Sequence, residues 1–197
     1  MASTSRIALL FGALATCGLT PAFAAPVPVE DGTDLSPSLE TSGVQSRRVS
    51  NDDLPAPVAR MRRILMDIAR AGDIEGLDAV IEENGHTPQF SFGADDDPIA
   101  FWREVSGDGE GREILAILLE LLETDPVLML PDTADAFYAW PYFEALPLDA
   151  LTPEQQVELF TLVTAGDYQD MLEFGGYIFY RVHVSPDGTW EAFVAGD

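Results

Sequence analysis

The chain has 197 residues and a formal net charge of −24, from 34 acidic residues against 10 basic ones, all of them arginine. A surface of this sign repels phosphate backbones and anionic bilayers, so it argues against nucleic acid partners and favours cationic ones. The one cysteine, Cys17, lies near the start of the chain, so the folded part is expected to have neither a disulfide nor a thiolate metal site. Solubility alone also explains the charge, and that alternative stays open.

Residues 1–24 predict a secretory signal peptide. Arg6 precedes the apolar run 7–19, and small residues at Ala22 and Ala24 fit a signal-peptidase site. The apolar run is too short to span a bilayer as a stable helix. We expect cleavage near Ala24 and a periplasmic or secreted mature chain with no transmembrane segment. Lipid attachment at Cys17 is the weaker alternative, because Thr16 stands where a lipoprotein signal has a smaller residue.

Residues 25–54 predict a disordered, acidic, Pro/Ser-rich tether. They nearly lack aromatic side chains, and such a composition cannot bury enough apolar surface to offset the entropy of ordering. The dibasic pair Arg47-Arg48 then marks a protease-sensitive spot. The remaining residues, 55–197, are predicted to form a single α+β domain.

That domain is predicted to open with an N-terminal helical hairpin. Apolar residues recur at intervals of three and four from Pro57 onward, which is the pattern of one helical face. Gly72 suits a left-handed helix end, and Asp73 can cap a second helix that runs to about Asn84.

A buried central helix is predicted over residues 112–123, because apolar side chains there cover nearly every face. Before it, Asp97-Pro98 indicates the start of another helix. After it, residues 127–130 predict a strand. The aromatic stretch 137–143 is expected to be extended, because Pro141 disfavours helix at the residue before it.

The clearest β signal is the alternation of apolar residues over 177–184. Residues 186–188 supply a turn, and a returning strand follows. With a three-residue turn, Val184 faces Trp190 and His183 faces Glu191. The expected class is α+β, with an antiparallel sheet that ends in this C-terminal β-hairpin.

The loop 106–113 offers a candidate metal site. Asp108, Glu110 and Glu113 could supply oxygen ligands to Ca²⁺, which is the one cofactor the sequence suggests. The glycines of the loop could instead direct backbone N–H groups at an anion. Ordinary helix termination and acidic N-terminal residues explain the same pattern, so no cofactor is the default expectation.

An aromatic cluster offers a candidate ligand site. Tyr138, Trp140, Tyr142 and Phe143 could form a wall for a sugar or a peptide. Packing in the core is the alternative interpretation.

The two histidines offer little catalytic chemistry. His183 could act as a general base oriented by Glu191, but an ordinary cross-strand pair explains the same residues. His86 is expected in a solvated loop. The sequence contains neither a Gly-x-Ser-x-Gly nor a His-Glu-x-x-His motif.

Four stretches together resemble a family of small exported bacterial proteins of proteobacterial type with no assigned function. The stretches are Gly107-Asp108-Gly109-Glu110-Gly111-Arg112-Glu113-Ile114-Leu115, Trp140-Pro141-Tyr142-Phe143, Thr164-Ala165-Gly166-Asp167-Tyr168, and Asp187-Gly188-Thr189-Trp190 through to Gly196-Asp197. The resemblance implies an envelope protein and no particular catalytic residue.

The favoured function is a non-enzymatic envelope protein that binds an envelope protein or a small ligand through its acidic surface or the aromatic stretch. The acidic surface favours a cationic partner or ligand. The alternative is a carboxylate-dependent hydrolase acting on an envelope polymer. Sparse histidine and absent lysine and cysteine chemistry favour the first. The sequence does not indicate an oligomeric state.

Overall fold

The computed structural model describes residues 39–41, 44–93 and 96–196, which all belong to one structural unit. The predicted signal peptide and residues 25–38 of the predicted tether lie outside the described residues. In the described part of the chain, no helix has both the length and the apolar character needed to span a bilayer.

The described residues contain six α-helices, most of them bounded by local signals. Gly72 ends the first helix in the left-handed region at φ 67°. Asp97 caps the third through its side chain, which accepts hydrogen bonds from two backbone N–H groups. The helices are α1 Ala56–Ala71, α2 Gly76–Asn84, α3 Pro98–Val105, α4 Arg112–Glu123, α5 Pro153–Leu159 and α6 Ala165–Phe174, and short 3-10 helices lie at Asn51–Asp53, Tyr142–Ala145 and Leu148–Ala150.

Six strands of the described residues pair antiparallel in chain order. They are β1 Leu39–Thr41, β2 Val44–Arg48, β3 Val127–Met129, β4 Phe137–Trp140, β5 Arg181–Val184 and β6 Trp190–Val194. The predicted α+β class and the antiparallel sheet ending in a C-terminal β-hairpin are confirmed.

The sheet is covered on both faces. Because side chains alternate along a strand, the register places Val184 and Trp190 on one face and His183 on the other. Trp102 of α3 stacks on Trp190 with ring centroids 5.8 Å apart, so the early helices cover the first face. Glu144 contacts His183, so the chain after β4 covers the second face. We call residues 141–176 the second-face layer.

Helix α4 has the predicted bounds. It belongs to the helices that cover the first face of the sheet, and α1 packs along it. Its leucines at 115, 118, 121 and 122 are buried. Glu113, Ala116, Glu120 and Glu123 form an exposed stripe, so the helix is buried on most of its surface but not on every side.

The prediction of a disordered tether is wrong for residues 44–54. Strand β2 pairs with β3, and the guanidinium of Arg48 binds Asp125 at 3.1 Å and lies 3.6 Å from the ring centroid of Tyr142. Asn51 adds a hydrogen bond to the backbone oxygen of Thr124 at 2.6 Å. The composition argument counted apolar burial alone, whereas backbone pairing and polar contacts with a partner 77 positions later order this segment.

The register of the C-terminal hairpin is only partly as predicted. Val184 pairs with Trp190, but His183 pairs with Ala192 rather than Glu191, because a bulge interrupts the ladder at this point. The side chain of Asn84 forms hydrogen bonds with both the N–H and the carbonyl of Trp190, which holds the bulged strand from outside.

Candidate functional site

A histidine–carboxylate pair lies on the second face of the sheet. The Nε2 atom of His183 is 2.9 Å and 3.1 Å from the two carboxylate oxygens of Glu144. Both side chains are mostly buried, at 19 % exposed for His183 and 17 % for Glu144. The predicted partner of His183, Glu191, is therefore wrong, and the partner comes from the second-face layer.

Local structure positions each member of the pair. Glu144 lies in the 3-10 helix Tyr142–Ala145, whose first turn closes with a hydrogen bond from its own N–H to the carbonyl of Pro141 at 3.2 Å. His183 extends from β5, and the ring of Phe137 on the neighbouring strand packs against its imidazole with centroids 4.5 Å apart. Both groups are thus held on ordered elements.

A cavity of about 440 Å³ lies beside Glu144. Its floor is the sheet, at Ser46 and Met129, and its roof is the end of α6. This volume falls in the range of small-molecule sites, and so does its mixture of mostly apolar walls with a few polar groups. The remaining lining residues are Glu144, Ala145, Leu146, Pro147, Leu148, Asp149, Met171, Leu172, Gly175 and Gly176.

The electrostatic effect of Glu144 extends to Tyr177. Burial, and then the charge of Glu144, raise the pKa of Tyr177. The phenol therefore stays protonated and donates a hydrogen bond to the carbonyl of Tyr180 at 3.0 Å. Tyr177 is thus a neutral hydrogen-bond donor and not an anion.

A second, smaller cleft of about 320 Å³ lies on the other side of His183. It is also lined by Phe137, Ser185 and Glu191. Glu191 accepts a hydrogen bond from the Ser185 hydroxyl at 2.6 Å and lies 3.3 Å from Nε2 of His86. The prediction for His86, an exposed loop residue, did not include this carboxylate partner.

The predicted aromatic wall does not face solvent. Tyr138, Trp140, Tyr142 and Phe143 are at most 7 % exposed, because they come from a region covered on both faces of the sheet. Trp140 donates to Asn51 at 3.2 Å, and Tyr142 donates to Glu158 at 2.7 Å. Burial raises the pKa of Tyr142, and the bond to Glu158 adds to this. This burial fits the alternative interpretation of the four residues, which is packing in the core.

Two carboxylates of the predicted calcium loop accept hydrogen bonds from other residues of the same loop. Asp108 accepts hydrogen bonds from the Ser106 hydroxyl at 2.5 Å and from the N–H of Glu110 at 3.2 Å, and the Ser106 bond lowers the pKa of Asp108. Glu113 accepts a hydrogen bond from the N–H of Gly107. Within the described residues, no three acidic, histidine or cysteine side chains are grouped to hold a metal ion. Calcium binding here stays a prediction.

Glu144 was missed as a site residue because the sequence has no local signal for it. It lies 39 positions from His183 and directly after the aromatic stretch 137–143. Only the isolation of a charge between apolar residues, Phe143 and Ala145, could have indicated a specific partner for it.

Comparisons with known proteins found no matching family model, no matching curated protein and no matching solved structure. The resemblance to small exported bacterial proteins therefore stays a prediction.

Proposed function

We propose that the protein is an exported binding module that holds an amphipathic ligand in the cavity beside Glu144. The ligand is a small molecule or the side chains of an envelope protein. One observation supports this most strongly: a cavity of about 440 Å³ with mostly apolar walls contains a carboxylate, and His183 keeps that carboxylate in one orientation.

Export is part of the proposal and has its own test. The predicted signal peptide ends at Ala24, and the alternative is lipid attachment at Cys17. We expect the protein recovered from the cell envelope to have the intact mass of a chain beginning at Ala25. A mass that includes Cys17 with attached acyl chains would establish the alternative.

A substitution at Gly176 can block the cavity without displacing the other residues that line it. It lines the cavity, and a Cβ atom added there would meet only the edge of the Phe174 ring, at 4.0 Å. Its backbone is outside the left-handed region, so a side chain can be accommodated there. We expect Gly176→Phe to fold and to occupy the mouth of the cavity.

The experiment is a calorimetric titration with octanol, a neutral probe with a linear apolar chain. We expect saturable binding to the wild-type chain and its loss in Gly176→Phe. The matched control is Gly166→Phe, because Gly166 is exposed on α6 and outside the cavity lining. Equal binding by Gly176→Phe and the wild type would reject the cavity as the binding site.

The Glu144–His183 pair favours a second candidate, the carboxylate-dependent hydrolase. Because Glu144 binds Nε2, Nδ1 is the nitrogen left to accept a proton from water. His183 also lines the cleft that contains Ser185, so a substrate can approach it from outside the ligand cavity. This arrangement supports general-base hydrolysis of an ester or amide.

Hydrolysis of p-nitrophenyl acetate tests this candidate. We expect His183→Gln to abolish hydrolysis, whereas His86→Gln, which changes the other histidine with a carboxylate partner, leaves it intact. A wild-type rate no higher than the buffer rate, or equal loss in both variants, would reject a catalytic function for His183.

A further inference from the structure

We propose that the ligand of the cavity is a cationic amphiphile: a linear apolar chain that ends in an ammonium-type group. This inference rests on the binding function proposed above and adds the chemical class of the ligand. The inference is based on which groups of the cavity lining are charged and which are apolar.

All charged groups of the cavity lining are acidic. Glu144 and Asp149 lie on the same stretch of the second-face layer, and Ser46 contributes a neutral polar side chain from β2. Among the described residues, no lysine or arginine lines the cavity, and the sequence contains none between Arg112 and Arg181. An anionic head group would therefore meet only repulsion from the lining.

The nearby side chains of His183 and Arg181, which can carry a positive charge, already have hydrogen-bond partners. His183 uses Nε2 to bind Glu144. The guanidinium of Arg181 donates to the carbonyl oxygens of Gly196 and Tyr177. When His183 is neutral, its N–H donates to Glu144 and leaves the carboxylate charge for a ligand. When His183 is charged, Asp149 remains as the unneutralised group of the lining.

The apolar part of the lining fits a chain rather than a flat ring. Its large side chains are the unbranched Met129 and Met171 and the leucines 146, 148 and 172. Methionine side chains adapt to the shape of a flexible apolar partner. In the part of the chain that the structure describes, no aromatic side chain lines the cavity, whereas sugar and aromatic ligands are typically stacked on such rings.

Three eight-carbon compounds separate the head-group charge from the apolar chain: octylammonium, octanol and octanoate. Titration calorimetry near neutral pH and at low salt compares them, since the amine and the acid are both ionised there. We expect octylammonium to bind about tenfold more tightly than octanol, and octanoate to bind most weakly.

Two variants and two controls assign the preference to residues. Glu144→Gln and Asp149→Asn should each reduce the ratio of octylammonium affinity to octanol affinity, with both affinities measured on the same variant. Glu154→Gln and Asp170→Asn, which change exposed carboxylates of α5 and α6 outside the lining, should preserve the preference. Circular dichroism of each variant checks that the fold is retained.

The outcomes distinguish the two proposals. If none of the three compounds binds, the binding function fails and the inference fails with it. If octanol or octanoate binds as tightly as octylammonium, the cavity binds ligands but the cationic class is wrong. An octylammonium preference that survives both substitutions would also overturn the inference, because its source would lie outside the cavity.

Discussion

Asp167 shows how one carboxylate can determine the start of a helix that roofs the cavity. It completes the capping box of α6, where it accepts hydrogen bonds from the Thr164 hydroxyl at 2.6 Å and the Thr164 N–H at 2.8 Å. These bonds lower the pKa of Asp167. The ionised group therefore stabilises the fold above the ordinary pKa of aspartate, and this contribution is lost as the pH falls through the folded-state pKa.

We expect Asp167→Ala to lower the melting temperature near neutral pH and to approach the wild type as the pH falls below the ordinary aspartate pKa of about 3.9. Differential scanning calorimetry across this range measures the difference between the two chains, in which the general effect of net charge largely cancels. Asp170→Ala removes an exposed charge from the same helix and serves as the control. A difference of constant size at all pH values would show that the cap does not act through ionisation.

At the scale of elements, strand β2 connects the N-terminal part of the domain to strand β3 of the sheet. Its residues 46–48 pair with β3, and Arg48 contacts Asp125, Tyr142 and Glu158. Ser46 of this strand also forms part of the cavity floor. The ordering of β2 is therefore a condition for the proposed binding site.

This pairing reverses the expectation that Arg47-Arg48 is protease-sensitive. A protease needs an extended segment free of its partners, and a paired strand is available only after local opening. We expect trypsin to cleave here slowly in the native protein and fast in urea that unfolds the chain but leaves trypsin active. Mass spectrometry of the fragments over time measures both rates. Rapid native cleavage after Arg47 or Arg48 would show that β2 is not stably paired in solution.

At the scale of the whole molecule, the excess of acidic over basic residues destabilises the folded state. A net charge of −24 repels itself in the compact state, and the second-face layer has no lysine or arginine to offset its carboxylates. Ion pairs such as Arg60–Glu83, at 2.8 Å, are exposed and contribute little. Repulsion should therefore outweigh attraction at low ionic strength.

We expect the melting temperature to rise by several degrees when sodium chloride increases from about 0.01 M to about 0.1 M, since the screening length falls from about 30 Å to about 10 Å. Thermal unfolding followed by circular dichroism measures this. Octylammonium binding should weaken over the same range, because its charge contacts are screened as well. A melting temperature that falls with salt would mean that attractive ion pairs dominate.

Local chemistry made several elements predictable. Asp97-Pro98 indicated the start of α3, the apolar density of residues 112–123 indicated α4, and the alternation before residues 186–188 indicated the C-terminal hairpin. Each depends on neighbours within one or two turns of the chain. The sequence alone also established the acidic charge and the scarcity of nucleophiles.

Tertiary structure alone decided which distant residues meet. It paired β2 with β3, gave His183 to Glu144 rather than to Glu191, and buried the aromatic stretch that looked like a ligand wall. The physical reason is that these outcomes depend on strand pairing between distant segments, on coverage of both faces of the sheet, and on one bulge in β6 that moves Glu191 out of register. Spacing along the chain carries no information about these three causes, because each arises only when separate elements pack together.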